Sequence, residues 1–317
     1  MIISINRTLI NGPYGGGNNI LYMFSNYLTK LGHVVLDKIN KNTNAIYIWE
    51  SNPSSMSFSI NNIKDYLLKN EDCLVVHRIN DNGLHRNDSC KRDEWFRVAN
   101  SVANKTIFIS EWVREYYKNL EIDGIVIHNS ADRKIFYPVD TVRNSNVPIK
   151  IVTHHWSDNI NKGYDIYRKI DEFCCKNPNI CHFRFIGREN CHKYFSNNCE
   201  KILPLPYKDI PPYLRSEDVY VSASLYEAGG CHLVEGMSCG LIPIVRKGGG
   251  GTECYSKNFG VVFYDSNDLI KYIIHLYNNY NVFCQMKKNI VTQYNYSSED
   301  MCFQYYDILK SLCRKEK

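Results

Sequence analysis

Much is missing from this chain of 317 residues, and each absence narrows what it does. No stretch approaches the roughly 18 uninterrupted apolar residues of a membrane-spanning helix. The opening Met1-Ile-Ile-Ser-Ile-Asn-Arg7 lacks the charged head and apolar middle of a secretory leader and reads as a first strand, so a cytoplasmic chain is expected. There are thirteen cysteines, an odd number, with no Cys-x-x-Cys and with Cys174 and Cys175 adjacent. That pattern argues for reduced thiols and against a disulfide framework. The histidines and cysteines also lack zinc-ligand spacing. The formal charge is only +5, and no basic block interleaves with aromatics, which argues against a nucleic-acid partner. A mild basic balance suits a small anionic ligand or a weak attraction to an anionic membrane surface.

What is present is alternation. The first half reads as strands at 2–5, 33–36, 45–49, 73–77, 106–109 and 124–128, with helices at 18–31, 60–68, 95–104 and 111–120. Residues 138–148 are polar, carry two prolines and show no period, as a linker would. Alternation resumes with strands at 150–153, 180–186, 219–222, 242–245 and 260–264 and helices at 164–175 and 210–214, and a Ser-Ser-Glu-Asp cap opens a last amphipathic helix over 297–314. The expectation is α/β, with two Rossmann-like domains of parallel sheets.

The most informative stretch is Ser222-Ala-Ser-Leu-Tyr-Glu227-Ala-Gly-Gly-Cys-His-Leu-Val-Glu235, followed by a buried-strand pattern and then Lys247-Gly-Gly-Gly-Gly251-Thr-Glu253. Strand, glycine turn, helix, strand and glycine loop build a phosphate site, because backbone N–H groups and the positive end of a helix dipole meet an anion there. Glu227 falls at the helix mouth, beside phosphates. Glu235, about two turns further in, falls where ribose hydroxyls need an acceptor, next to the apolar Leu233, Val234 and Met237. The bland alternative is a pair of solvated glutamates, but a half-buried carboxylate without a partner is costly.

This stretch resembles the E-x7-E signature of the retaining GT-B glycosyltransferases of family 4, also called glycosyl transferases group 1. The resemblance runs in order through nearly the whole chain: first-strand glycine loop, interdomain run, Lys-Gly, E-x7-E, second glycine loop and closing helix. It implies a GT-B fold in which two Rossmann-like domains face each other: an acceptor domain over 1–140, a nucleotide-sugar domain over 148–296, and a terminal helix over 297–317 packing back on the first domain. It further implies that Glu227 lies at the donor sugar and Glu235 at the ribose. Lys162, in Lys162-Gly163, would lie on the donor diphosphate, where a compact ammonium meets growing negative charge. Backbone N–H groups near Gly229, Gly230, Gly249, Gly250 and Gly251 would share that task. Many relatives carry an arginine shortly before the lysine. None stands between Lys150 and Lys162 here, which leaves His154, His155, Ser157 or Arg188 as replacements, against the alternative that the two histidines pack on Trp156.

In the first half, Gly15, Gly16 and Gly17 follow a strand and open a helix, with Asp37 at the end of the next strand. Ile20 stands where a dinucleotide fingerprint needs its third glycine, so NAD binding is disfavoured. The resemblance places this loop at donor phosphate or acceptor, and a plain tight turn is the alternative. His77, Arg78 and Asp81 end a strand, where polar residues point into a ligand crevice. There Arg78 would hold an anion and Asp81 a sugar hydroxyl at the reacting centre, against a surface turn pairing Arg78 with Asp81. Asn129 and Asp132 are read as cleft-rim residues, or as turn formers on their own account.

The reaction implied is transfer of a hexose from a UDP- or GDP-sugar to an acceptor hydroxyl of a glycan or lipid-linked saccharide, with retention. No Asp-x-Asp occurs in the chain, so no essential divalent ion and no other cofactor is expected. Two rivals stay open: a nucleotide-sugar epimerase of related two-domain build, and a non-enzymatic sugar-nucleotide binding module. Peripheral membrane contact is open as well. Relatives often act on lipid-linked acceptors, yet no strongly basic amphipathic helix is evident near the N-terminus. Oligomeric state is not legible.

Overall fold

The computed structural model describes residues 1–12, 14–86, 89–139 and 143–315. Pro13 of the first glycine loop and residues 140–142 of the linker region lie outside the described residues. The chain forms two units. The first comprises Met1–Ile10, Gly17–Asn129 and Ser298–Lys317, and the second Asn11–Gly16 and Ser130–Ser297. The division falls after Asn129, ahead of the boundary expected at 140. Ala131 and Phe136 are apolar and pack into a core of the second unit, so the chain has changed units before the polar linker begins.

In the first unit, β1 (Ile2–Ile5), β2 (Val34–Leu36), β3 (Ala45–Ile48), β4 (Leu74–Ile79), β5 (Lys105–Phe108) and β6 (Ile125–Val126) form one sheet, ordered β2-β1-β3-β4-β5-β6 and parallel throughout. Its connecting helices are α1 (Gly16–Lys30), α2 (Ile60–Leu67), α3 (Gly83–Arg86), α4 (Ser89–Asn100) and α5 (Glu111–Lys118). β3 is buried along its whole length, as a central parallel strand covered on both faces must be. Ile46 and Ile48 pack on one face with Ile60, Ile63 and Val75. Tyr47 points to the other face, where its hydroxyl donates to the Tyr305 carbonyl at 2.8 Å. Helix starts follow local chemistry: Ser59 and Asn62 form a capping box on α2, and Ser110 caps α5.

In the second unit, β7 (Ile149–His155), β8 (Cys181–Gly187), β9 (Glu200–Ile202), β10 (Val219–Ser222), β11 (Ile242–Arg246) and β12 (Val261–Phe263) form a second parallel sheet, ordered β12-β11-β10-β7-β8-β9. Its helices are α6 (Tyr164–Lys176), α7 (Glu189–His192), α8 (Pro211–Arg215), α9 (Cys231–Ser238), α10 (Gly251–Ser256), α11 (Ser266–Asn278) and α12 (Tyr280–Gln293). Strand alternation divides the apolar residues between two cores. Ile149, Ile151, Val219 and Val221 join Tyr167 and Ile170 of α6 and Leu269 and Ile273 of α11 on one face. Val152 and Tyr220 join Leu233, Val234 and Met237 of α9 on the other. The closing helix α13 (Ser298–Lys315) belongs to the first unit. Among the described residues no helix is long and apolar enough to cross a membrane.

β9, α10, α11 and α12 are absent from the sequence reading. β9 is only three residues long and carries Glu and Lys. α11 had a legible start, since Asp265 accepts from the N–H groups of Asn267 and Asp268.

Candidate functional site

In a doubly wound sheet, ligands bind beyond the carboxyl ends of the strands where the strand order reverses. In the second unit that point lies between β7 and β10, whose ends are His155 and Ser222. The segments leaving these two strands carry most of the sequence candidates.

After β7 the chain makes a short turn of 3-10 helix over Ile160–Lys162 and then passes through Gly163 at φ +80°. A Cβ at Gly163 would stand 2.2 Å from the Ala223 carbonyl oxygen, so only glycine lets this turn lie against the segment leaving β10. The Leu225 N–H donates to the Asn161 carbonyl at 2.7 Å and closes the same contact. This approach brings Lys162 to Glu227: both side chains are largely buried, and the ammonium donates to Glu227 Oε2. Among the described residues, Glu227 is the acceptor for one of the three ammonium N–H bonds, which leaves two for a ligand.

Glu227 is fixed by its backbone as well. Tyr226 has φ 54°, a left-handed residue that turns the chain. The Tyr226 and Glu227 N–H groups donate to the carbonyls of Gly248 and Gly249 at 2.9 and 3.1 Å, and Gly251 N–H donates to the Glu227 carbonyl at 2.7 Å. The carboxylate turn and the second glycine loop are thus one paired unit, with a lone parallel bridge between Glu227 and Gly250. Gly250, at φ 69° and ψ −122°, takes a conformation open only to glycine. Glu253 ties the glycine loop together: its carboxylate accepts from Gly248 N–H at 2.7 Å and from Lys247 at 2.9 Å. Gly230 is the N-cap residue of α9 and caps it with no side chain, and its missing Cβ leaves room beside Thr252 and His232. Gly229 and Gly230 are buried in the turn.

Glu235 lies within α9, 5% exposed, and His154 Nε2 meets its Oε2 at 2.7 Å. His155 points the opposite way, toward α6, where the Tyr167 hydroxyl meets its Nε2 at 2.7 Å. Burial, with His232, Lys162 and His154 nearby, holds the His155 imidazole well below its usual pKa, so it is neutral. Its Nδ1 is buried and has no partner among the described residues. Neither histidine packs on Trp156, contrary to the bland alternative. Trp156 instead takes the Arg188 guanidinium, 4.5 Å above its ring. Arg188, at the end of β8, donates no side-chain hydrogen bond among the described residues, so a stacked planar cation keeps its donors available. Ser157 Oγ is occupied locally, accepting from Asn159 N–H at 3.2 Å. His232 is a candidate that sequence reading passed over. Its ring lies 4.7 Å from that of His155 and 6.2 Å from that of His154. Its place in the first turn after the glycine pair was the available signal.

Gly15 and Gly16 group with the second unit and Gly17 with the first. Gly15 lies against Trp156, and a Cβ at Gly16 would collide with Cys231 at 2.4 Å.

The first-unit candidates stand differently. His77 is fully buried, bonded to Ser51 Oγ and Asn100 Oδ1, and burial pushes its pKa down to about 4. Arg78 is 1% exposed and donates to the Tyr305 hydroxyl at 3.0 Å and to Asn129 Oδ1 at 2.7 Å, with Trp49 under its guanidinium. Arg78 lies against Tyr305 of α13 and does not form the alternative surface pair with Asp81. Asn129, 2% exposed, is its partner. Asp81 pairs with Arg92 at 3.2 Å. Asp132 forms a turn, accepting from Lys134 N–H at 2.9 Å. Asp37 takes the Thr8 hydroxyl at 2.8 Å.

Residues 188–293 match the model of the family Glycosyl transferases group 1. No curated relative matches the sequence. Among solved structures, the chain is similar to sucrose-phosphate synthase (tll1590) from Thermosynechococcus elongatus, at 14% identity and a TM-score of 0.74 over 99% of each chain. It is similar to Anabaena Alr3699/HepE, solved in complex with UDP and glucose, at 14% identity and a TM-score of 0.75 over 98% of this chain and 99% of that one. WaaG, a glycosyltransferase involved in lipopolysaccharide biosynthesis, matches at 12% identity with a TM-score of 0.66 over 97% and 99%. The chain therefore has the GT-B fold, and the match to the Glycosyl transferases group 1 model falls within its second unit.

Proposed function

We propose that this protein is a retaining glycosyltransferase that moves a hexose from a UDP- or GDP-sugar to an acceptor hydroxyl of a glycan or lipid-linked saccharide. The observation that carries this reading is the Lys162–Glu227 pair, locked onto the second glycine loop at the strand-order reversal of the second sheet. HepE, of the same fold, was solved with UDP-glucose bound. In the proposed reaction the bond between the anomeric carbon and the phosphate oxygen breaks as the acceptor oxygen bonds to the same face of that carbon. The acceptor proton passes to the leaving phosphate oxygen. Lys162 and Arg188 meet the charge that grows on the diphosphate, and Glu227 holds both Lys162 and the donor sugar in place. Glu235 accepts from the ribose, and the first unit holds the acceptor. Two side-chain cations carry the charge compensation, so the reaction runs without a divalent ion. Activity lost to a chelator and restored by Mn²⁺ would contradict that point.

The test is incubation with UDP-, GDP-, ADP- and dTDP-sugars, without acceptor or metal, while following released nucleoside diphosphate and sugar identity. Slow release from one donor is expected. A changed sugar still joined to its nucleotide would replace the transferase reading with an epimerase. No turnover together with no thermal stabilisation by any donor would sink both.

A further inference from the structure

We propose that His154, locked by Tyr220, is a positioning residue that aims the Glu235 carboxylate, and that the pair makes the site require an intact ribose diol. This rests on the reading of the second unit as a nucleotide-sugar site. Alternation along β7 sends His154 to the face covered by α9, where Tyr220 of β10 and Glu235 meet it. The Tyr220 oxygen accepts from the His154 backbone N–H at 3.0 Å and lies 3.0 Å from its Nδ1. A phenol has one hydrogen to give, and Nδ1 lies nearer than the His154 carbonyl at 3.3 Å. Tyr220 therefore donates to Nδ1, which leaves the ring proton on Nε2. Nε2–H then donates to Glu235 Oε2 at 2.7 Å.

This arrangement fixes the Glu235 carboxylate and commits one oxygen. Among the described residues no lysine or arginine pairs with Glu235, and Oε1 accepts no hydrogen bond. A carboxylate held in a largely apolar helix face, supported by a single imidazole N–H, is incompletely compensated. As an acceptor-only group it asks for hydroxyl donors, and a ribose diol supplies two. Without His154 the carboxylate loses its aim.

The experiment is calorimetric binding of UDP and GDP, each against its 2′,3′-dideoxy counterpart, to the unaltered protein, H154A and H154Q. One hydrogen bond to a charged acceptor is lost with the diol, so the unaltered protein should favour the ribose form by about tenfold to a hundredfold. H154A should reduce that preference to within about threefold. H154Q, whose amide N–H falls near the Nε2 position, should keep most of it. If H154A does not fold, H154N makes the same comparison, since its shorter amide cannot reach Glu235. A preference that survives in H154A or H154N overturns the positioning role, even if both bind more weakly overall. If the unaltered protein binds UDP and GDP but no variant changes the ratio, the donor reading stands and this proposal falls. If it binds no nucleoside diphosphate at all, both fall.

Discussion

Two strand ends carry the same kind of residue pair and meet opposite fates. β4 carries His77 and Arg78 just before its last residue in the first unit, and β7 ends with His154 and His155 in the second. In both, alternation sends one residue to each face of a parallel sheet. At β4 each is closed off: His77 by Ser51 and Asn100, Arg78 by Tyr305 of α13 and by Asn129. At β7 each touches candidate ligand-handling groups: His154 holds Glu235, and His155 lies beside His232. Position at a strand end does not make a residue a ligand group. What covers the strand end decides it. At β4 the cover is a helix that begins at Ser298, while the segment after β7 turns through Gly163 and leaves Lys162 beside Glu227.

The largest expected effect lies on the second-unit side. Lys162→Ala should lower kcat by about a hundredfold to a thousandfold, the usual cost of removing one preorganised charge from a transition state. A loss under tenfold in a transfer assay would remove Lys162 from the reacting centre. Its first-unit counterpart should behave in reverse. Arg78→Met should leave nucleotide affinity unchanged while costing about 3 kcal/mol of stability in denaturant unfolding, because Asn129 and Tyr305 lose their buried donor. A folded Arg78→Met protein with intact nucleotide binding and no transfer would make Arg78 an acceptor group after all, and the contrast would break.

His77 sharpens the comparison through pH. Its folded pKa, about 4, lies below the ordinary 6.5. The unfolded chain therefore takes up a proton below about pH 6.5 that the folded state refuses. Stability is full above that pH and falls as pH drops toward 4, by as much as about 3 kcal/mol. His155 adds a loss of the same sign. His77→Asn, which keeps a donor toward Asn100, should flatten part of this fall in unfolding curves between pH 7 and 4.5, and an unchanged profile would refute the assignment. The smallest effect expected is at Gly163. Gly163→Ala forces a side chain into a left-handed backbone against the Ala223 carbonyl and should cost about 2 kcal/mol. It should also weaken nucleotide binding, because Lys162 is displaced. A stable variant with native affinity would show that the close approach is dispensable.

Much of this was legible locally. The apolar run of β3, the apolar period of α6, the caps at Ser59 and Ser110, and the glycines at 163 and 250 follow from propensity and sterics over a few residues. The spacing of Glu227 and Glu235 was legible as well, since it reflects a glycine turn and just over one helical turn of α9. The partners were not. His154 with Glu235 and Arg188 with Trp156 are contacts across 81 and 32 residues, and no local pattern records them.

By itself, the sequence determined the class of fold, two parallel sheets with helices between the strands, because the apolar period and the turn residues act over short range. It also determined where charge and glycine gather along the chain. Only the tertiary structure decided which polar residues are sealed and which stay available. That choice depends on desolvation, and desolvation depends on chain segments far away in sequence: Arg78 is buried because α13 returns to the first unit, and Glu227 is poised because the glycine loop and Lys162 converge on it.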